Sequence, residues 1–134
     1  MTDQPEIDPA ALLAAETSPL GPTLETARLI LRPPSLADFP RWAEFMADPD
    51  TTRFIGGVQS PHEVWRGIAA VAGMWALQGE GMFSVIEKST GLWLGRIGPL
   101  HPYSWPGREV GWSLHKDAAG KGYAVEAAVA TMDY

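Results

Sequence analysis

The chain has 134 residues and no cysteine, so a single domain can bury a sizeable core, and disulfides, thiolate nucleophiles and cysteine metal sites are excluded. Its net charge of -6 is uneven, because residues 1–25 hold five acidic and no basic side chains while the remainder is close to neutral. No basic stripe indicates a nucleic acid partner. No apolar run reaches the ~20 residues of a membrane span, and the N-terminus lacks a secretory pattern. We therefore expect a soluble, cytoplasmic protein with neither nucleic acid nor membrane as a partner.

Residues 1–23 differ in composition from the rest of the chain. They are acidic and hold four of the twelve prolines. This composition predicts a flexible, solvated arm with one short helical stretch at Pro9–Glu16. A docking arm for a partner chain is the alternative.

From Thr26 onward the pattern predicts regular elements. The segment TARLILRP is typical of a strand ended by proline. In SLADFPRWAEFMAD, Ser35 and Asp38 form a capping pair and apolar residues recur at helical spacing. Pro40 requires this helix to start at Asp38 or to bend in its first turn. Ser60 and Pro61 begin a second helix. Its predicted buried face comprises Val64, Ile68, Val71 and Trp75.

Strands are predicted next. MFSVIEK and LWLGRIGPL flank STG and indicate a hairpin, in which Gly95 and Gly98 predict a bulge or a close backbone approach. REVGWSLHK predicts a third strand, with Glu109, Gly111 and Ser113 on one face and Val110, Trp112 and Leu114 on the other. A last helix is predicted from about Gly122. The fold class is α/β (α+β), a mixed, mostly antiparallel sheet flanked by helices.

The segment KDAAGKGYAVEA places glycines around Lys121 at the mouth of that last helix. Free N–H groups and the helix dipole favour an anion there, and glycine lets a phosphate approach the backbone. Two known phosphate motifs do not fit. A P-loop would need glycine at His115, and a dinucleotide fingerprint would need glycine or alanine at Val125.

A third pattern fits. EVGWSLHKDAAGKGYAVEAA resembles the acetyl-CoA-binding segment of the GNAT superfamily of N-acyltransferases, closest to the ribosomal-protein N-terminal acetyltransferase branch. Upstream, LETARLILRPPSLADFPRW resembles that branch's first strand and helix, and STGLWLGRIGPL resembles its hairpin. The resemblance covers residues 24–134 and implies the N-terminal portion of a GNAT-like domain, incomplete at its C-terminal side. An exposed sheet edge would then invite pairing with a second copy, so a homodimer is one expectation.

The resemblance implies roles for particular residues. The pyrophosphate of acetyl-CoA would lie on backbone N–H groups of Ala119, Gly120, Lys121, Gly122, Tyr123 and Ala124. The pantetheine arm would pair beside Trp112, Ser113 and Leu114, and the N–H of Ser113 or Leu114 would bind the thioester oxygen. Glu109 would be the general base for an amine acceptor, acting directly or through water, followed by direct transfer in a ternary complex. No metal is implied.

Other interpretations stay open for these residues. Glu109 is a solvated strand residue in the alternative, Tyr123 a packing residue, and Glu126 a carboxylate that complements the helix dipole. Trp105 is the tryptophan we expect to face substrate. His62, His101 and His115 show no metal-ligand spacing and are expected on the surface or in loops. Two residues depart from the family pattern, Asp117 where Gln or Arg is usual and Ala119 where Trp is frequent. A non-catalytic acyl-CoA-binding or interaction module is therefore the alternative function.

Overall fold

The structure is a computed structural model that describes Asp8 and residues 18–53, 55–100, 106–107, 109–118 and 120–134. At residues 100, 109 and 117 it describes the backbone alone. Most of the predicted arm, residues 1–23, lies outside this part, so the arm and its boundary remain predictions. The helices are α1 (Phe39–Ala47), α2 (Pro49–Thr52), α3 (Pro61–Gln78) and α4 (Tyr123–Asp133), with 3-10 turns at Leu36–Asp38 and Lys116–Ala118. The strands are β1 (Leu24–Glu25), β2 (Leu29–Arg32), β3 (Phe83–Glu87), β4 (Trp93–Leu100) and β5 (Glu109–Leu114).

The strands form a single sheet in the order β1-β2-β3-β4-β5, and each neighbouring pair is antiparallel. β2 begins three residues later than the sequence predicts. Thr26 to Leu29 form the turn that joins β1 to β2, in which the Thr26 N–H donates to the Leu29 carbonyl at 2.9 Å. β5 lies at the edge of the described sheet.

Helices cover both faces of this sheet. Ser84 donates to Asp38 beside α1, whereas its neighbour Phe83 packs edge-on against Tyr134 at the end of α4. Because adjacent strand residues point to opposite faces, α1 and α4 lie on opposite sides. α3 packs on α1. None of the helices in the described part is long and apolar enough to cross a bilayer.

The predicted helix starts are confirmed. Ser60 Oγ accepts from the Glu63 N–H at 3.2 Å, Glu63 Oε1 accepts from the Ser60 N–H at 3.1 Å, and Pro61 is the first residue of α3. The four residues of its predicted inner face are all buried. α1 begins at Phe39, directly after Asp38, so Pro40 lies in its first turn without interrupting it.

Asp38 has a second role that its capping position does not reveal. Its carboxylate is buried and accepts from Arg32 Nη2 at 2.6 Å, Arg32 Nη1 at 2.9 Å and Ser84 Oγ at 2.7 Å. These bonds join the start of α1 to β2 and β3 and neutralise a guanidinium inside the protein.

The glycines of β4 lie at close backbone approaches, as predicted. The β3–β4 register shifts between Val85 and Ile86, which pair with Gly95 and Trp93, so Leu94 is the extra residue of a bulge. A Cβ at Gly95 would lie 2.2 Å from the carbonyl oxygen of Ser113. β4 can therefore approach β5 this closely only with glycine at residue 95.

Candidate functional site

The glycine turn joins the end of β5 to the start of α4. Gly120 and Gly122 have φ of +76° and +75°, a left-handed conformation that glycine adopts without steric cost. Gly122 caps the helix, and its carbonyl accepts the first helical bond from the Glu126 N–H at 3.2 Å. The prediction of a helix from about Gly122 is confirmed. Ala119, predicted in the same turn, lies outside the described residues.

The first turn of α4 presents backbone donors. In the part of the chain that the structure describes, no group accepts a hydrogen bond from the N–H of Tyr123, Ala124 or Val125. A Cβ built on Gly120 would have no atom within 4 Å, so this side of the turn is open. Such donors at the positive end of a helix dipole favour an anion. The Lys121 side chain is half exposed, and its ammonium lies 4.0 Å from Glu87 Oε2, so this cation is paired with a carboxylate beside the turn.

Tyr123 anchors the start of α4. Its ring is buried and its hydroxyl donates to Glu87 Oε2 at 2.7 Å, which ties the helix to the end of β3. This bond, together with burial, raises the pKa of Tyr123. Burial also raises the pKa of Glu87, but hydrogen bonds from Thr90 and Tyr123 outweigh it and leave that pKa below its ordinary value. The Tyr123 side chain thus packs inside the protein, and only the backbone N–H of Tyr123 remains a candidate contact for a ligand.

A second anchor is centred on Glu126, at the end of the first turn of α4. Its Oε2 accepts from the Thr26 hydroxyl and from the Arg28 N–H at 3.0 Å, and its Oε1 accepts from Arg28 Nε at 2.7 Å. Burial raises the pKa of Glu126, but these hydrogen bonds and the Arg28 charge outweigh it and lower the pKa overall. The guanidinium lies 4.3 Å above the Tyr123 ring. We name these three residues, Thr26, Arg28 and Glu126, the clamp.

The edge strand β5 leads into the turn. The His115 N–H donates to the Leu94 carbonyl, continuing the β4–β5 register in which Ser113 pairs with Arg96 and Leu114 with Gly95. Antiparallel ladders alternate, so the Ser113 N–H points toward β4 while those of Trp112 and Leu114 point away from the sheet. Of the two candidate donors to a thioester oxygen, this geometry favours Leu114. Trp112 is 57% exposed at the same edge.

Glu109 is the first residue of β5 and pairs with Leu100 across the strand. Its side chain is not among those that the structure describes, and neither is Trp105. The sheet does place Glu109 and the glycine turn at opposite ends of one strand. At about 3.4 Å per residue, the Cα atoms of Glu109 and Leu114 lie roughly 17 Å apart. An extended arm could lie along this strand between a phosphate and a general base.

The comparison with protein families matches residues 28–134 to the acetyltransferase (GNAT) domain. The chain belongs to the GNAT family.

Solved structures of the family are similar to this GNAT domain over most of its length. An acetyltransferase from Agrobacterium tumefaciens str. C58 is 39% identical with a TM-score of 0.75, and a GNAT-family acetyltransferase from Bacillus anthracis is 26% identical with a TM-score of 0.71. Each match covers 84% of this chain and 65% of the other protein. A ribosomal-protein-S5-alanine acetyltransferase from Vibrio fischeri, 18% identical with a TM-score of 0.63, has the same fold, with 84% of this chain and 66% of its own covered. The chain thus spans about two thirds of these structures.

The residues present fit an acyl-CoA ligand in this GNAT domain. The open side of Gly120 leaves room for a phosphate, the first turn of α4 offers donors, and the edge of β5, which pairs with no further strand among the described residues, offers alternating backbone groups. No three His, Asp or Glu side chains among the described residues are grouped so that they could hold a metal ion.

A cavity of about 730 Å³ opens beside the end of β5, against α1 and α2. His115, expected on the surface or in a loop, directly follows β5 but is buried at its wall, with Nε2 3.2 Å from Glu44 Oε1. Packing against Phe45 accounts for its burial. The sequence carried no signal for this pair because its members lie 71 residues apart.

Sequence reasoning also missed the clamp. The sequence indicates Glu126 only as a complement to its own helix dipole, and it indicates no role for Arg28. The two residues are 98 apart in the chain, and no periodicity or motif links them. Only the fold brings the start of β2 to the start of α4.

Proposed function

We propose that this GNAT domain is the N-terminal portion of an acetyl-CoA-dependent N-acetyltransferase that acts on a primary amine, either a protein N-terminus or a small molecule. The observation that carries the proposal is the open glycine turn, with donors in the first turn of α4, which follows the strand at the edge of the described sheet. The Vibrio fischeri protein supports the fold alone at its level of identity, so the acceptor is stated only as a primary amine. When bound, acetyl-CoA supplies a thioester carbonyl that an amine can attack.

The turn would hold the pyrophosphate. Backbone N–H groups from Ala119 to Ala124 would donate to its oxygens, and the helix dipole would add to the attraction. Glycine at 120 and 122 supports this because a side chain on either would stand between phosphate and backbone. The Lys121 ammonium, about half exposed, would add a charge that the phosphate can reach.

β5 would hold the pantetheine arm. Trp112 and Leu114 direct backbone groups outward, so an extended amide chain could pair with them as a sixth strand would. The Leu114 N–H would then lie where it can donate to the thioester oxygen as negative charge develops there. Ser113 would contribute to the wall of the cleft.

Glu109 would act as the general base. An acceptor amine is protonated at neutral pH and must lose a proton before or during attack. Glu109 would take that proton through water, since its Cα lies roughly 17 Å along β5 from that of Leu114, and the amine would attack the thioester within a ternary complex and release the CoA thiolate without a covalent enzyme intermediate. A cytoplasmic location and a homodimer remain predictions.

A non-catalytic acyl-CoA-binding module is the second candidate. It is favoured by the fact that the chain spans only 65% of the length of its first two structural relatives, so about a third of each relative lies outside the match. Binding and turnover therefore need separate tests.

Calorimetric titration with acetyl-CoA tests binding. We expect the parent chain to bind and Gly122→Glu to lose detectable binding, because the new carboxylate would occupy the anion position. Gly79→Glu is the matched control, since Gly79 ends α3 with φ of +73° and a Cβ there would meet no atom within 4 Å. It imposes the same backbone strain far from the turn and should leave binding unchanged. A parent chain that binds no acetyl-CoA contradicts the proposed function.

Glu109→Gln distinguishes the two candidate functions, an enzyme and a non-catalytic binding module. An enzyme should lose roughly 10²–10⁴-fold in rate with any acceptor amine that it acetylates, while its affinity for acetyl-CoA stays within a factor of two. An unchanged rate would exclude Glu109 as the base. Binding without turnover across a panel of N-terminal peptides and small amines would favour the binding module.

A further inference from the structure

We propose that Thr26 and Arg28 act as positioning residues that hold the Glu126 carboxylate away from the donors of its own helix, and so keep the anion site of the glycine turn open. This inference rests on the proposed acetyl-CoA site. It assigns a function to the clamp, which otherwise is only a link between β2 and α4.

Glu126 lies at the end of the first turn of α4. A helical Cα–Cβ bond is tilted toward the helix N-terminus, so a carboxylate at the end of the first turn naturally extends toward the free N–H groups. The helix dipole attracts it in the same direction. Without other partners, the Glu126 carboxylate would therefore occupy the position where the phosphate is proposed to bind.

The clamp gives that carboxylate other partners. Both of its oxygens are engaged by the turn before β2: Oε2 by the Thr26 hydroxyl and the Arg28 N–H, and Oε1 by Arg28 Nε at 2.7 Å. Three donors satisfy most of the acceptor capacity of a carboxylate. The lowered pKa of Glu126 agrees with this arrangement, because donors of this kind stabilise the ionised form.

Arg28 suits this role better than lysine would. Its guanidinium is planar and stacks 4.3 Å above the Tyr123 ring, which fixes the direction of Nε toward Glu126. Its Nη2 lies 3.6 Å from the position that a Cβ on Gly122 would occupy, so the cation borders the turn itself. The pair thus presents a neutralised carboxylate to an incoming phosphate instead of a bare negative charge.

A double-mutant cycle tests the inference with acetyl-CoA as the titrant. Arg28→Gln removes the Nε bond and the charge that hold Oε1, which lets that oxygen turn toward the helix donors, and should raise the dissociation constant roughly tenfold. Glu126→Gln removes the competing charge and should stay within about threefold of the parent chain, and so should the double variant Arg28→Gln/Glu126→Gln. Recovery in the double variant, together with unchanged thermal unfolding of Arg28→Gln, is the readout that a merely structural link cannot produce. Arg66→Gln, at an exposed position of α3, controls for the loss of one positive charge and should bind like the parent.

Two outcomes overturn the positioning role while the proposed function stands: an Arg28→Gln variant that binds as tightly as the parent, or one whose loss persists in full in the double variant. The second would mean that Arg28 contributes its own charge or only stabilises the fold, and thermal unfolding of each variant separates those two. A parent chain that binds no acetyl-CoA overturns the proposed function and, with it, this role. Tight binding by the parent and the double variant, with weak binding by Arg28→Gln alone, supports both.

Discussion

Gly95→Ala is the substitution for which the structure makes the sharpest prediction about stability. Gly95 lies in β4 with φ of +155°, against the backbone of β5. A Cβ there would lie 2.2 Å from the Ser113 carbonyl oxygen and 2.8 Å from the Leu114 Cα. Both are backbone atoms, so no side-chain rotation can relieve the contact, and the two strands would have to separate.

The expected cost follows from two terms. Overpacking a well-packed contact costs about 1–3 kcal/mol, and an alanine held in a backbone conformation that suits glycine costs about 1–3 kcal/mol more. We therefore expect Gly95→Ala to lower the free energy of unfolding by roughly 2–6 kcal/mol. That is a large part of the roughly 5–15 kcal/mol typical of a small domain. Because β5 carries the proposed pantetheine edge, affinity for acetyl-CoA should fall with it.

Urea denaturation followed by circular dichroism measures the effect, and Gly73→Ala is the control. Gly73 lies inside α3, and a Cβ there meets no atom within 4 Å. The same chemical change should raise stability by about 0.5–1 kcal/mol, because alanine favours the helix over glycine. The reasoning is refuted if Gly95→Ala unfolds within about 1 kcal/mol of the parent while the control behaves as expected, since the close approach of β4 to β5 would then be absent.

Three further predictions concern the turn, the core and pH. Gly120→Ala and Gly79→Ala share left-handed φ of +76° and +73° and open surroundings. Each substitution should lower the free energy of unfolding, measured by thermal unfolding, by about 1 kcal/mol. Only Gly120→Ala should also weaken acetyl-CoA binding, by about fivefold or more, and equal affinities of the two variants would contradict the proposed site. Asp38→Asn leaves the buried Arg32 without its counter-charge and should cost about 3–5 kcal/mol in urea denaturation, so a loss below about 1 kcal/mol would refute that pairing. Glu126 has a folded pKa below its ordinary value of 4.5, so its contribution is present above that pH and lost as pH falls through the folded pKa. Glu126→Gln should therefore reduce the loss of stability that accompanies falling pH below about pH 5. Superimposable stability curves for the variant and the parent would count against the hydrogen bonds of the clamp.

The elements that the sequence predicted well are those specified by neighbouring residues. Ser60, Pro61 and the apolar spacing of α3 lie within one segment, and the helix begins where they indicate. The STG hairpin and the glycine turn are equally local. α2 was missed because a helix of four residues is too short to show a periodic pattern, and Asp48 caps it through the Asp50 N–H at 3.0 Å.

The parts that the sequence could not supply depend on residues far apart in the chain. The sequence predicts Asp38 only as a capping residue, because its neighbours include Ser35. Its buried carboxylate also accepts a hydrogen bond from Ser84, which is 46 residues away. β1 was missed because it is defined only by pairing Leu24 with Leu31 and Glu25 with Ile30. A strand of two residues carries no alternation of its own.

The same distinction applies within the candidate site. The sequence predicts the glycines and the helix start, while the contacts that would affect ligand binding join residues far apart in the chain. Two glycines and a helix start are enough to create donors, and both can be read from KDAAGKGYAVEA. In the proposed role of the clamp, the position of the Glu126 carboxylate decides whether those donors are free for a ligand, and Thr26 and Arg28, which is 98 residues from Glu126, would set that position. A turn of this sequence on a fold without the clamp would keep the motif yet place a competing anion beside it. At the proposed acetyl-CoA site, the glycine motif would therefore supply the donors, and the clamp would determine how strongly they bind a phosphate.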